Sequence, residues 1–277
     1  IDYPGFNMRI AKWSKKYKFE TIYYIAPQLW AWNEKRINEI KKYINSLYVI
    51  LPFEKEFFES KHNYPVKFLG HPLADSIYNF KTNYNSSNKF ITADKKPIIA
   101  ILPGSRKQEI KKILNTVIET VECFKEYQFI VAGAPNIELS YYTSIIKNKK
   151  IKVIENKTYE LLSVSYAAIV TSGTATLETA LFKVPQVVCY KSSYFSFIIA
   201  KLIVNIKYIS LVNLIMDQEI VKELIQQDCN KNKITKELKK ILDLNHRKSL
   251  KVKYDELASI LGNFGTSKRV ALDIITK

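Results

Sequence analysis

Cysteine, histidine and long apolar runs are scarce in this chain of 277 residues. Its three cysteines lie far apart and none stands in a C-x-x-C spacing. This pattern excludes a disulfide framework and a thiolate metal site, and it indicates a reduced, intracellular protein. The three histidines argue against a His-rich metal site. No apolar run approaches the roughly 20 residues of a membrane-spanning helix, and no signal peptide is recognisable.

The charge of the chain is strongly one-sided. There are 43 Lys and Arg residues against 26 Asp and Glu, which gives a formal net charge of +17. Such an excess suggests an anionic partner, namely nucleic acid, anionic lipid or a phosphorylated substrate. Compositional drift on solvated faces explains it equally well, because the lysines are scattered. A nucleic-acid binder would need a basic stripe with aromatic platforms, which the sequence does not show.

Strand-like apolar runs alternate with helix-like segments, which predicts parallel sheets covered on both faces. One series contains "TIYYIA", "SLYVILP" and "VKFLG", and a second runs from "PIIAILPGS" to "PQVVCY". The polar stretch Lys81–Lys96 between them is typical of a linker. The sequence therefore predicts an α/β fold with two Rossmann-like domains. Residues 1–92 form the first, incomplete domain, and residues 93–277 form the second, which ends in closing helices.

Glycine is rare, and its positions are informative. Only seven glycines occur in the chain, and four of them fall at the ends of predicted strands: Gly70, Gly104, Gly133 and Gly173. In open parallel sheets, ligands bind outside the carboxyl ends of the strands. A glycine there permits close approach of the backbone to a ligand.

The stretch "TSGTATLETA", residues 171–180, joins a predicted strand to a helix. The backbone N–H groups of Ser172, Gly173 and Thr174 would form an anion site suited to a diphosphate. Glu178 lies one turn beyond Thr174 on the same helix face, where it could accept hydrogen bonds from a ribose diol. A helix cap with a dipole-favoured carboxylate is the structural alternative.

Two further residues are candidates for chemistry. Arg106 in "LPGSRKQEI" would open a helix beside the crevice and could clamp phosphate oxygens. The alternative is a surface arginine paired with Glu109 or Glu160. Asp2 in "IDYPGFN" stands where a strand would end and could act as a general base. A capping or turn aspartate is the alternative there.

Taken together, eight stretches closely resemble the lipid-A-disaccharide synthases, glycosyltransferases of family 19 with the GT-B fold in Gram-negative bacteria. In chain order they are "IDYPGFN", "YYIAPQLWAWNEKRI", "ILPFEKEFF", "VKFLGHPLAD", "ILPGSRKQEI", "VTSGTATLETAL", "PQVVCYK" and "YISLVNLIMDQEIVKELIQ". The resemblance implies transfer from UDP-2,3-diacylglucosamine to 2,3-diacylglucosamine 1-phosphate. The product would carry an inverted, β-1,6 linkage, UDP would be released, and no metal or cofactor would be needed.

The resemblance also implies roles for individual residues. Asp2 would be the base on the acceptor 6-hydroxyl, and Arg106 would stabilise negative charge on phosphate groups. Glu178 would contact the ribose, with residues 172–174 near the diphosphate. Three more positions match residues near the donor site: Asn213, Glu223 and Gln226.

The resemblance further implies a cytoplasmic enzyme, peripheral on the inner face of the inner membrane, with an anionic lipid surface as partner. The apolar segment Ser192–Ser210 is the candidate for this contact, and a core helix is the alternative. The sequence is also compatible with a homodimer.

The family's first βα unit has no counterpart in this sequence, so an N-terminally truncated member is expected. The alternatives are a remnant that binds UDP without catalysis, or another GT-B enzyme that uses UDP-N-acetylglucosamine.

Overall fold

The computed structural model of the protein describes residues 3–84, 95–147, 151–192 and 207–276. The chain forms two compact units. Within the described residues, unit 1 comprises 3–76 and 258–276, and unit 2 comprises the remainder. Residues 258–276 thus belong to unit 1, although the sequence pattern predicts them in the second domain, residues 93–277. Nowhere in the described ranges is a helix both long and apolar enough to cross a membrane.

Unit 1 is built on a small parallel sheet with strand order β1-β2-β3. Its strands are β1 (Ile22–Tyr24), β2 (Ser46–Val49) and β3 (Lys67–Phe68). The helices are α1 (Pro4–Lys16), α2 (Ile37–Tyr43), α3 (Pro52–Glu56), the start of α4 (Pro72–Asn83) and α12 (Thr266–Ile275). A 3₁₀ turn at Glu34–Arg36 precedes α2, and a π-helical turn at Phe57–Lys61 follows α3. Buried apolar side chains of α1, α2 and β2 form its core.

The C-terminal helix α12 is fastened to unit 1 by two carboxylates. Asp75 accepts hydrogen bonds from the backbone N–H groups of residues 265–267, at 2.6, 3.0 and 2.7 Å. Asp273, near the other end of α12, accepts from the Tyr48 hydroxyl and from Lys67 Nζ. These bonds join residues about 200 positions apart, and they explain why the C-terminal segment belongs to unit 1.

Unit 2 contains a six-stranded sheet in which every pairing is parallel. The strands are β4 (Ile98–Leu102), β5 (Gln128–Gly133), β6 (Ile151–Glu155), β7 (Ser165–Thr171), β8 (Gln186–Tyr190) and β9 (Lys222–Ile225). The helices are α5 (Lys107–Val121), α6 (Leu139–Ile145), α7 (Thr158–Val164), α8 (Thr174–Leu181), α9 (Leu211–Met216), α10 (Lys231–Leu242) and α11 (Leu244–Leu261), the last of which ends in unit 1.

The two faces of this sheet carry separate cores because successive side chains of a strand point to opposite sides. Ile99 and Ile101 of β4 pack with α5, α6 and α10 on one face. Ala100 and Leu102 pack with α7 and α8 on the other. This arrangement confirms the predicted α/β fold with a parallel sheet covered on both faces.

The strand order β6-β5-β4-β7-β8-β9 contains one reversal. From β4 the chain adds strands in one direction, and from β7 it adds them in the other. The helices after these two neighbouring strands, α5 and α8, lie on opposite faces. A crevice therefore opens beyond the carboxyl ends of β4 and β7, at the position where doubly wound sheets bind ligands.

We expect Asp75→Asn to lower the free energy of unfolding by about 1–3 kcal/mol at pH 7, because the start of α12 loses a charged acceptor. Burial raises the pKa of Asp75, but hydrogen bonds led by those from Ser267 outweigh it, so the pKa lies below its ordinary value. The stabilisation is thus present above pH about 4 and is lost as the pH falls through the lowered pKa.

Urea unfolding at pH 7 and at pH 3 would measure both effects of Asp75→Asn. Asp217→Asn is the matched control, because the Asp217 side chain is 84% exposed. An Asp75→Asn protein as stable as the wild type at pH 7 would show that this carboxylate does not fasten α12.

Candidate functional site

A cleft of about 380 Å³ occupies the crevice in unit 2. The loops after β4, β5 and β7 line it, together with the first turns of α5 and α8. Seven of the residues singled out in the sequence line it: Gly104, Arg106, Gly133, Ser172, Gly173, Thr174 and Glu178. Five separate features of the sequence, namely three glycine turns, an arginine and a carboxylate, therefore belong to one site.

The loop from β7 to α8 presents its backbone to the cleft. Gly173 has a φ of +148°, and no atom lies within 4 Å of the place where its Cβ would be. The glycine is thus required by backbone conformation and faces open space. Thr174, the first residue of α8, is exposed, and N–H groups in the first turn of a helix have no intrahelical acceptor. The helix dipole adds positive potential at this point.

The side chains of this loop are used internally. Ser172 Oγ donates to the carbonyl of Ile209 at 2.6 Å, and Thr176 Oγ1 donates to the carbonyl of Gly173 at 2.8 Å. These bonds fix the loop from both sides. The polar groups of this loop that remain for a ligand are therefore the backbone N–H groups of residues 173–175. The Ser172 hydroxyl is not among them, because it is bonded to Ile209.

Glu178 stands on the wall of the cleft in a defined orientation. Its Oε1 accepts a hydrogen bond of 2.9 Å from the Tyr159 hydroxyl, and Oε2 has no partner among the described residues. Burial raises the pKa of Glu178, against the opposing effect of the Tyr159 bond. Tyr159 is itself packed against Phe80 and Phe182, with ring centroids 5.5 and 5.2 Å away. One carboxylate oxygen is therefore fixed and the other can accept from a ligand hydroxyl.

Arg106 precedes α5, as the sequence predicted, and lies at the mouth of the cleft. Its Nη1 donates to Glu109 Oε1 at 2.8 Å, which is the pairing weighed as the surface alternative. The Arg106 side chain is 80% exposed, and such exposed pairs contribute little to stability. Gly104, with a φ of +105°, allows this arrangement, because a Cβ there would lie 3.0 Å from Glu109 Oε2. Arg106 is thus held near the cleft by a weak contact that a phosphate could replace.

Asn213 and Glu223 do not line the cleft. The Asn213 side chain is fully buried, donates to Glu223 and to the Val221 carbonyl, and accepts from the N–H groups of Ile220 and Val221. All its donors and acceptors are therefore used within the fold.

Glu223 connects Asn213 to the loop at the cleft. It accepts from the N–H groups of Ile209 and Ser210, at 2.9 Å each. The carbonyl of the same Ile209 receives the Ser172 hydroxyl. A continuous series of bonds thus links β9 to the loop that lines the cleft.

Gln226 follows β9 and lies outside the cleft. Its Oε1 accepts from the Ser192 N–H at 2.9 Å, and it lines a separate, shallow depression with Lys112, Thr116 and Lys191. Asp2 lies outside the described residues, as does the segment Ser192–Ser210 except for Ser192 and residues 207–210.

Tyr159 is one residue of this site that the sequence pattern did not indicate. It orients Glu178 but belongs to α7, a separate helix 19 positions earlier in the chain. In the sequence, Tyr159 is only a tyrosine in the first turn of a helix that follows a strand. This pattern does not indicate that its hydroxyl bonds to Glu178.

Solved structures share this architecture. A UDP-GlcNAc 2-epimerase from Neisseria meningitidis, solved bound to UDP-GlcNAc, matches 98% of this chain and 73% of its own, with a TM-score of 0.64 and 14% identity. The calicheamicin glycosyltransferase matches 99% of this chain and 61% of its own, with a TM-score of 0.56 and 11% identity. The protein therefore has the fold of GT-B glycosyltransferases and UDP-GlcNAc 2-epimerases.

Sequence comparison narrows this class to one family. The family model for lipid-A-disaccharide synthetase matches residues 1–272. A lipid-A-disaccharide synthase from Coxiella burnetii is 36% identical over 276 residues, which cover 98% of this chain and 73% of that relative. The chain belongs to the lipid-A-disaccharide synthetase family. It is a glycosyltransferase of lipid A biosynthesis, as its motifs indicated.

Proposed function

We propose that the cleft of unit 2 binds the UDP portion of a UDP-2,3-diacylglucosamine donor. The observation that carries this proposal is the meeting of Arg106, the α8 N-terminus and the oriented carboxylate of Glu178 at the strand-order reversal. The diphosphate lies over the backbone N–H groups at residues 173–175. Glu178 Oε2 accepts from the ribose hydroxyls.

The reaction proposed for this site is the one that the family resemblance implies. The acceptor, 2,3-diacylglucosamine 1-phosphate, attacks the donor's anomeric carbon through its 6-hydroxyl oxygen. The bond from that carbon to the diphosphate breaks, the hydroxyl proton passes to the Asp2 carboxylate, and UDP leaves. Attack opposite the leaving group gives the β linkage. Asp2 holds this role through the family resemblance of "IDYPGFN".

Negative charge grows on the diphosphate as the bond breaks. The α8 N-terminus and the Arg106 guanidinium stabilise that charge, because both are oriented towards the diphosphate before the bond breaks. Arg106 exchanges Glu109 for a phosphate oxygen, and both are anionic acceptors that suit a planar guanidinium.

In this proposal, three residues stabilise the donor site without lining it: Asn213, Glu223 and Gln226. Asn213 and Glu223 hold residues 209–210, on which the Ser172 hydroxyl rests. Gln226 accepts a hydrogen bond from the backbone of Ser192, just beyond β8. Substitution of Asn213 or Glu223 would disturb the loop over the diphosphate without removing a direct ligand contact.

We also propose that α1 contacts an anionic lipid surface, since both substrates carry acyl chains. Phe6, Ile10 and Trp13 lie three to four positions apart on α1 and are 58%, 47% and 52% exposed. Tyr17 extends this stripe, with its ring centroid 4.8 Å from that of Trp13. Arg9, Lys12, Lys15 and Lys16 share the same helix. Exposed aromatic residues among cations are typical of helices that lie in a membrane interface.

We expect the protein to bind UDP and Glu178→Ala to weaken that binding by about 1.5–3 kcal/mol, the range of hydrogen bonds to a charged group. Titration calorimetry would measure it. Glu119→Ala is the matched control, since it removes the same charge from an exposed position on α5. Equal UDP affinity for the wild type and Glu178→Ala would contradict the proposed contact between Glu178 and the ribose. Failure of the wild type to bind UDP would contradict the proposed function.

Turnover with both acylated substrates tests the two residues assigned to chemistry. We expect Asp2→Ala and Arg106→Ala to abolish turnover. Arg106→Lys should restore little, because lysine lacks the planar fork. UDP affinity should stay nearly intact in Asp2→Ala, since a base acts on the acceptor. Lys107→Ala is the neighbouring control. Normal rates in either alanine variant would exclude that residue from the mechanism.

Co-sedimentation with phosphatidylglycerol vesicles tests the α1 proposal. The double variant Phe6→Ser with Trp13→Ser should lose most binding while keeping its thermal stability, since both side chains are more than half exposed. Leu244→Ser, at a 66% exposed position in unit 2, should change neither property. Undiminished binding by the double variant would place the lipid contact elsewhere, with Ser192–Ser210 as the next candidate.

A further inference from the structure

The hydroxyl groups around α8 are almost all engaged by the protein. Ser172, Thr176 and Thr179 each donate to a backbone carbonyl within 2.6–2.8 Å. Thr171 differs from them. Its residue is only 5% exposed, and its Oγ1 is buried without a hydrogen-bond partner in the described structure.

Thr171 occupies the floor of the cleft. It is the last residue of β7, its backbone is paired with that of Cys189 in β8, and it is one of the residues that line the cleft. Its Cγ2 lies 3.5 Å from the place where a Cβ on Gly104 would be, so the side chain sits between the loops after β4 and β7. A rotation about χ1 brings the hydroxyl into the position of that methyl group.

A buried hydroxyl without a partner costs free energy in the ligand-free protein. Valine has nearly the same shape and would avoid that cost. Buried polar groups that the fold leaves unpaired are uncommon, and one that borders a ligand cleft is explained if the ligand completes its hydrogen bonding. The position of Thr171 beside an anion-receptive helix N-terminus gives its hydroxyl such a ligand.

We propose that the Thr171 hydroxyl is a binding group of this site that donates to a phosphate oxygen of the nucleotide diphosphate. This inference rests on the function proposed above. Nearby groups favour a phosphate over a sugar hydroxyl, because the α8 N-terminus and Arg106 both make this end of the cleft attractive to anions. Glu178, one helical turn further on, is an acceptor and suits the hydroxyl-bearing part of the ligand.

The test compares Thr171→Val, Thr171→Ser and Thr179→Val in calorimetric titrations with UDP and in thermal unfolding without ligand. Thr171→Val should weaken UDP binding about tenfold or more and leave the ligand-free melting temperature equal or higher. Thr171→Ser should restore the affinity. Thr179→Val is the matched control: its buried hydroxyl is bonded to Ala175, so its loss should lower the melting temperature and spare UDP affinity.

A competition experiment with uridine identifies the group contacted. The Thr171→Val penalty should be present for UDP and absent for uridine, which has no phosphate. Unchanged UDP affinity in Thr171→Val would overturn the inference. A lower melting temperature with weakened binding, not rescued by serine, would assign Thr171 a structural role and overturn it as well. Failure of the wild type to bind UDP would overturn the proposed function itself, which is a separate outcome.

Discussion

The reversal of strand order between β4 and β7 is the constraint on which the site depends. Two neighbouring parallel strands send their following helices to opposite faces of one sheet, so the loops beyond them diverge. No backbone can fill the space between diverging loops. That space is the cleft. The turns at Gly104 and Gly173, Arg106 and Glu178 are arranged around it because each lies in the loop or the first turns of the helix that follows one of the two strands. The chemistry of the site is thus a consequence of topology.

The cleft is divided by charge. The α8 N-terminus and Arg106 lie at one end of the cleft and favour an anion there. Glu178 lies on the wall and favours a ligand with hydroxyl donors. Each part is held by groups behind it. Tyr159 and its aromatic neighbours orient the carboxylate, whereas Ser172, Ile209, Glu223 and Asn213 fix the loop by successive hydrogen bonds. A nucleotide would therefore enter a site whose geometry is already set, which limits the ordering cost of binding.

Local patterns were sufficient for those parts of the site that one segment encodes. The spacing from Thr174 to Glu178 and the glycines at strand ends could be read from the sequence, because each depends on a single strand–turn–helix unit. The roles of Tyr159 and Thr171 could not be read, since each depends on side chains from separate elements. Asn213 and Glu223 matched family positions, but only the fold shows that they bond to each other and to a loop. The return of α12 to unit 1 was equally hidden, because one aspartate 190 positions earlier fixes its start.

That distant fastening has a consequence for the order in which the protein folds. Asp75 leaves the ribosome long before its partners at residues 265–267. At bacterial synthesis rates the delay over 190 residues is on the order of ten to forty seconds. Unit 2 lies entirely between these two points in the sequence and can complete its sheet during the delay. The surface of unit 1 that contacts α12 stays uncovered until then, so completion of unit 1 depends on a late contact between residues far apart in the sequence.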